Sequence, residues 1–134
     1  MRGQRFPAMN LAEDIFRRSD PGAPALLGKG ECITYGDLDR RSAEIASWLR
    51  GVTRSRCARI GLRCADGPEH VLLALAILRA GQCLVPLAPE LTDAEHAAII
   101  STLSLEGVVK AGKDGDGELT DCGGVQFCWQ RTGC

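Results

Sequence analysis

The sequence predicts an α/β fold of three layers, α/β/α, with helices on both faces of a parallel sheet and with one helix and a β-hairpin ahead of it. Two observations carry this. Residues 66–89 read as a buried helix turning sharply into a buried strand: residues 71–78 are apolar without a period, Arg79 interrupts them, Gly81 ends the helix, and Cys83, Leu84, Val85 and Leu87 follow as an apolar run. The second is alternation: strand 57–62, helix 68–80, strand 82–87, helix 93–103 and strand 107–110 succeed one another through short links. Such links suit right-handed crossovers in a parallel sheet.

Each element has a local reason. A first helix over 11–18 turns Leu11, Ile15 and Phe16 inward and is stopped by Ser19-Asp20-Pro21-Gly22. Strands at 25–27 and 31–33 flank Gly28-Lys29-Gly30, which reads as a hairpin turn and not a phosphate cradle, because no helix follows in the right place. The helix over 35–50 places Leu38, Ile45 and Leu49 on one stripe beside Ala46 and Trp48, with Asp39, Arg40, Arg41, Glu44 and Arg50 elsewhere; Gly51 closes it. Arg54, Arg56 and Arg59 then read as a solvated loop entering a strand. The helix over 93–103 is expected to face the sheet with Ala97, Ile100 and Leu103, Ile99 alongside, leaving His96 exposed.

Four helix starts share one signature, a short polar residue with an acid three positions on: Asn10 with Glu13, Thr34 with Asp37, Asp66 with Glu69, and Thr92 with Glu95. The first side chain accepts from the helix's early N–H groups and the acid suits the positive end of the dipole, so Glu69 and Glu95 read as capping groups rather than catalytic acids. From 111 to 117 the chain is glycine-rich and acidic, and its Asp-Gly-Asp-Gly lacks the remaining ligands of a calcium loop. The alternation of Val125, Phe127 and Trp129 with polar neighbours predicts one more strand, with no evident partner. The chain thus divides into residues 1–110 and a tail, 111–134, of flexible loop and final strand.

Composition excludes several functions. Sixteen basic residues nearly balance 17 acidic ones and no basic face is visible, so nucleic acid is not an expected partner. The N-terminal basic residues have no apolar stretch behind them, and the longest apolar run is too short to span a bilayer; a cytoplasmic, membrane-free protein is expected. Seven cysteines, an odd number no closer than six residues apart, fit neither a disulfide framework nor a zinc site. Cys57 and Cys83 are expected to be buried in strands. The strand-to-helix loop Arg63-Cys64-Ala65-Asp66-Gly67-Pro68 is where an open α/β sheet would bind a nucleotide, yet it has no dinucleotide fingerprint or Walker loop, and Pro68 removes an N–H. Neither His70 nor His96 sits in a triad context. No residue is assigned a catalytic, cofactor-binding or metal-binding role.

The element order itself is close to a flavodoxin-like or Rossmann-like half. More specific are two stretches. Ile33-Thr34-Tyr35-Gly36-Asp37-Leu38 resembles the Leu-Thr-Tyr-x-Glu-Leu motif near the start of adenylate-forming (AMP-binding) enzymes, the superfamily of acyl-CoA and aryl-CoA synthetases, nonribosomal-peptide adenylation domains and luciferases. Leu78-Arg79-Ala80-Gly81-Gln82-Cys83-Leu84-Val85-Pro86-Leu87-Ala88-Pro89 resembles their Leu-Lys-Ala-Gly-x-x-Tyr-Val-Pro-Leu-Asp-Pro, in the same order and spacing. The resemblance spans residues 10–109 and implies the N-terminal subdomain of a ligase. The complete enzyme would use ATP and Mg2+ to convert a carboxylic acid to an acyl-adenylate and pass it to CoA or a carrier protein. Leu84 and Ala88 replace the usual tyrosine and aspartate, which tilts the expectation toward a CoA ligase.

The family's phosphate loop, its nucleotide motifs and its catalytic lysine lie downstream of this region. The resemblance therefore implies a partial domain, inactive alone and binding no cofactor itself, whose partners are the phosphate-loop subdomain and the C-terminal domain, with self-association through the exposed subdomain face as a further expectation. Two rivals stand beside it: a truncated non-catalytic interaction module, and an unrelated flavodoxin-like nucleotide binder.

Overall fold

A computed structural model describes residues 11–28, 31–111 and 119–132. The expected Asn10 cap, most of the 28–30 turn, the acidic loop after 111 and Cys134 lie outside the described residues. In chain order the elements are α1 (Leu11–Arg18), β1 (Pro24–Gly28), β2 (Glu31–Thr34), α2 (Tyr35–Val52), β3 (Arg59–Arg63), α3 (Pro68–Arg79), β4 (Cys83–Leu87), α4 (Asp93–Leu103), β5 (Gly107–Ala111), β6 (Leu119–Cys122) and β7 (Val125–Arg131). Strands β1 and β2 pair as an antiparallel hairpin. The others form one sheet in the order β4-β3-β5-β7-β6.

That sheet is mixed. Strands β4, β3 and β5 are parallel, as the alternation predicts. The final strand is not partnerless: β7 runs antiparallel to β5 and continues through a tight turn from β6, which sequence reasoning did not identify. Gly123 and Gly124, at φ 60° and 73°, form that turn, a conformation two glycines adopt without strain. Arg41 of α2 donates to both their carbonyls, at 2.7 and 3.2 Å, and so fastens the hairpin under the helix.

The crossover through α3 moves to one side of β3 and the crossover through α4 returns across it. With one hand for both, the helices must lie on opposite faces. The core divides accordingly. Ile45 and Leu49 of α2 and Leu72, Leu73, Ala76 and Ile77 of α3 pack on Ile60, Leu62, Val109, Val125 and Phe127. Trp48 meets Phe127 edge-on at 5.1 Å. On the other face Ile99 and Ile100 of α4 pack on Leu87, Leu105 and Val108. A Cβ on Gly61 would lie 2.9 Å from Leu87 Cδ1, so glycine there lets this smaller core close.

Four local expectations are corrected. Ile15 of α1, expected to face inward, is exposed. Helix α4 buries His96 and exposes Ala97 and Leu103, while Ile100 packs on the sheet as expected with Ile99 beside it, both half-buried; the Ala-Ala-Ile-Ile doublets left its rotational phase undetermined. Helix α3 is capped by Gly67 with no side-chain bond, not by Asp66, because Pro68 at the first helical position sets the entry geometry. Cys57 lies before β3, which starts at Arg59, and both it and Cys83 are exposed. Thr34 and Thr92 do cap as expected, Thr92 and Glu95 as a reciprocal box.

Among the described residues strand β4 forms a free edge of the sheet. Cys83 N–H donates to Ala58 O, so by alternation Val85 and Leu87 also face β3 while Leu84 and Pro86 face outward. Proline therefore sits where its missing N–H breaks no ladder bond and blunts the edge.

Candidate functional site

The two motif stretches are structural joints. In the first, Thr34 Oγ1 accepts from Asp37 N–H at 3.1 Å, Tyr35 N–H donates to Ala23 O and Gly36 N–H to Pro21 O at 2.8 Å. A Cβ on Gly36 would press to 3.1 Å from that same oxygen. In the second, Arg79 donates to both Glu13 carboxylate oxygens, at 3.2 and 3.0 Å, and through Nη1 to Asp39 Oδ1 at 2.6 Å, Asp39 O and Ser42 Oγ. Its guanidinium also lies 4.8 Å over the Phe16 ring. One side chain thereby joins α1, α2 and α3. Burial alone would lower its pKa, but the bonds to Glu13 and Asp39 outweigh that and raise it.

Other sequence candidates resolve into internal contacts. In the loop after β3, His70 Nδ1 lies 3.1 Å from Cys64 O, and burial, with Glu69 and Asp66 nearby, pushes the Cys64 thiol up to about 11, far from a reactive thiolate. The arginine loop encloses a carboxylate: Glu106 accepts from Arg54 N–H, Ser55 N–H and Ser55 Oγ. Among the described residues no group of three or more His, Cys, Asp or Glu is placed to hold a metal. No described helix is long and apolar enough to cross a membrane.

A cleft of about 440 Å3 opens between α4 and the β5–β7 pair. It runs from the C-terminal ends of β3 and β5, at Arg63 and Lys110, to the start of β5, where Gly107 pairs with Arg131. Ala97, Ile100 and Val108 give it an apolar side; Arg63, His96 and Lys110 give it a basic one. Arg63 Nη1 lies 2.9 Å from His96 Nδ1. A guanidinium only donates, so Nδ1 accepts and the neutral imidazole carries its proton on Nε2. Arg63 Nη2 holds the chain after β4 through Pro89 O and Leu91 O, at 2.9 and 2.8 Å. Burial, then Lys110 and Arg63, hold the His96 pKa below its ordinary value against the pull of Asp93. Sequence reasoning missed this cluster because its members come from β3, α4 and β5 and share no local spacing.

Comparison with known proteins follows the same outline. The nonribosomal peptide synthetase agiA of Aspergillus flavus is 30% identical over 102 residues, 74% of this chain and 1% of its own length. Among solved structures, the N-terminal subdomain of Klebsiella oxytoca NpsA shares the fold at a TM-score of 0.69 and 18% identity, covering 78% of this chain and 28% of that one. MatB from Rhodopseudomonas palustris, solved apo and with ATP bound, has a TM-score of 0.69 and 27% identity over 74% of this chain and 20% of its own. The chain spans less than a tenth of the length of the curated relatives it matches, from 1% of agiA to 9% of the synthetase cpsA of Aspergillus campestris. With this fold, these two joints, and a match of the AMP-binding enzyme family over residues 14–126, the chain belongs to the AMP-binding enzymes.

Proposed function

We propose that this chain is the N-terminal portion of an ATP-dependent acid–thiol ligase, which activates a carboxylate as an acyl-adenylate and transfers it to a thiol. The observation that carries the reading is the family match over residues 14–126 on a chain that spans so little of its relatives. The peptide synthetases among those relatives favour a carrier-protein thiol over CoA as acceptor, against the tilt given by Leu84 and Ala88. ATP binding in MatB favours ATP as the nucleotide.

The described residues themselves do not fit a magnesium–triphosphate site. Pro68 removes an N–H from the start of α3, Gly67 supplies no side chain there, and the nearby Asp66, Glu69 and His70 are not placed together to hold a metal ion. The remaining parts of the ligase would hold ATP and Mg2+ and carry the chemistry. This chain supplies scaffold: it orders the α1–α2–α3 layer against the sheet and is inactive alone.

The test is acid-dependent ATP–pyrophosphate exchange, measured on the isolated chain and on a chimera in which residues 14–126 replace the matching stretch of an active relative. The expected result is no exchange from the chain and retained exchange from the chimera. Exchange by the isolated chain refutes the scaffold role. A folded but inactive chimera refutes the claim that this is a working piece of a ligase.

A further inference from the structure

We propose that the cleft between α4 and the β5–β7 pair binds a small organic anion with an apolar body, its carboxylate held by Lys110 and its hydrocarbon lying against Ala97, Ile100 and Val108. The proposal does not rest on the ligase reading. Its starting point is a charge pattern left unbalanced among the described residues.

Arg63 and Lys110 are direct cross-strand partners in the β3–β5 ladder, so their side chains leave the same face of the sheet. Like charges directly opposite one another destabilise a sheet unless something offsets them. Nothing described does. The bonds Arg63 makes go to neutral acceptors, His96 Nδ1, Pro89 O and Leu91 O, and its Nε has no acceptor among the described residues. Lys110 makes no hydrogen bond or ion pair among the described residues. Asp93, the acid that lines the cleft, forms an ion pair with neither. His96 adds an Nε2–H with no acceptor among the described residues.

The shape suits a ligand of this kind. A cleft of about 440 Å3 is within the usual range for small-molecule sites, which are mainly apolar with a few placed polar groups. Gln130 and Thr132 extend the lining without adding charge, and Arg131 between them adds a further cation whose Nη2 donates to Val52 O. A carboxylate beside Lys110 would offset the like-charge pair while the apolar body covered the exposed flank of α4.

Hexanoate, hexanol and hexylammonium, titrated separately into the 15N-labelled full chain, separate the possible causes of binding. The expected result is saturable shifts of the Ala97, Ile100 and Lys110 amides with hexanoate, at least about tenfold weaker binding of hexanol, and no cleft response to hexylammonium. Lys110→Gln should weaken hexanoate about tenfold and leave hexanol unchanged, while Lys110→Arg retains binding. In the wild-type chain, bound hexanoate should raise the His96 pKa, read from its ring proton, because a nearby negative charge favours the imidazolium that Arg63 and Lys110 disfavour and Asp93 favours. This last readout decides the matter if Lys110→Gln fails to fold. Equal affinity for hexanol and hexanoate, shifts centred away from the cleft, no saturation, or an unmoved His96 each overturns the proposal.

Discussion

Arg79→Met isolates the charge that joins the three helices, because methionine retains the aliphatic stem and its packing. The guanidinium side chain is 11% exposed, whereas its carboxylate partners Glu13 and Asp39 are 49% and 46% exposed. Solvent therefore screens both pairs. The Glu13 pair is worth about 0.5 kcal/mol on that footing. The Asp39 contact at 2.6 Å, on the more buried side, is worth about 1 kcal/mol. The bonds to Asp39 O and the buried Ser42 Oγ add about 0.5 kcal/mol, since Ser42 Oγ still donates to Asp39 O after truncation. The expected loss is about 2 kcal/mol from a total of roughly 5–15 kcal/mol, a fall in Tm of about 6–8 °C for a domain of this size. Urea denaturation followed by tryptophan fluorescence measures it. Arg79→Lys, which offers a point charge in place of a fork, should fall between the two. A loss under about 0.5 kcal/mol for Met would refute the joint, given the surface-pair range, and a lysine variant as stable as wild type would refute the need for the fork.

Further outcomes follow from particular contacts. Gly107→Ala drives a Cβ to 2.5 Å from Trp129 Cζ2, a ring held edge-on by Trp48, and should cost about 2 kcal/mol and alter the near-UV circular dichroism of the tryptophans. Thr34→Ala removes the acceptor for Asp37 N–H and should lower stability by about 1 kcal/mol in the same urea titration, with Thr34→Ser restoring most of it. His96 has a folded pKa below its unfolded value, so the unfolded chain binds more protons. Its contribution is intact above about pH 6.5 and is lost as pH falls from there through the folded pKa; His96→Gln should flatten that part of the urea-midpoint profile. Pro86→Val restores an N–H to the edge of β4 and should promote self-association in size-exclusion chromatography, where an elution volume unchanged from wild type would contradict the role given to Pro86.

The parallel half of the sheet was legible because its strands are apolar runs separated by helices with strong end signals. Thr34 and Thr92 behave as their spacing says because an N-cap bond is local, whereas Asp66 fails because a proline two residues on decides the same turn. The β6–β7 hairpin carried a readable signal in Gly123-Gly124 between two short runs, which was overlooked beside the longer glycine-rich loop. Its pairing with β5 was not readable, since nothing local to β7 names a partner. The phase of α4 was likewise hidden: two alanines and two isoleucines in succession satisfy either rotation, and only the sheet beneath selects the one that buries His96.

The two stretches that give the family away contain no acid, base or nucleophile in a site, and the fold explains why they are nonetheless specific. The first must turn a hairpin into a helix within one residue, which needs a cap at Thr34 and close backbone approach at Gly36. The second must end a buried helix, reverse at Gly81 and enter an edge strand that tolerates Pro86, while its single cation gathers partners from two other helices. Each requirement fixes residue type and spacing as tightly as catalysis would. Constraint of this kind reports backbone geometry, so a family can be recognised here from residues that hold the fold together.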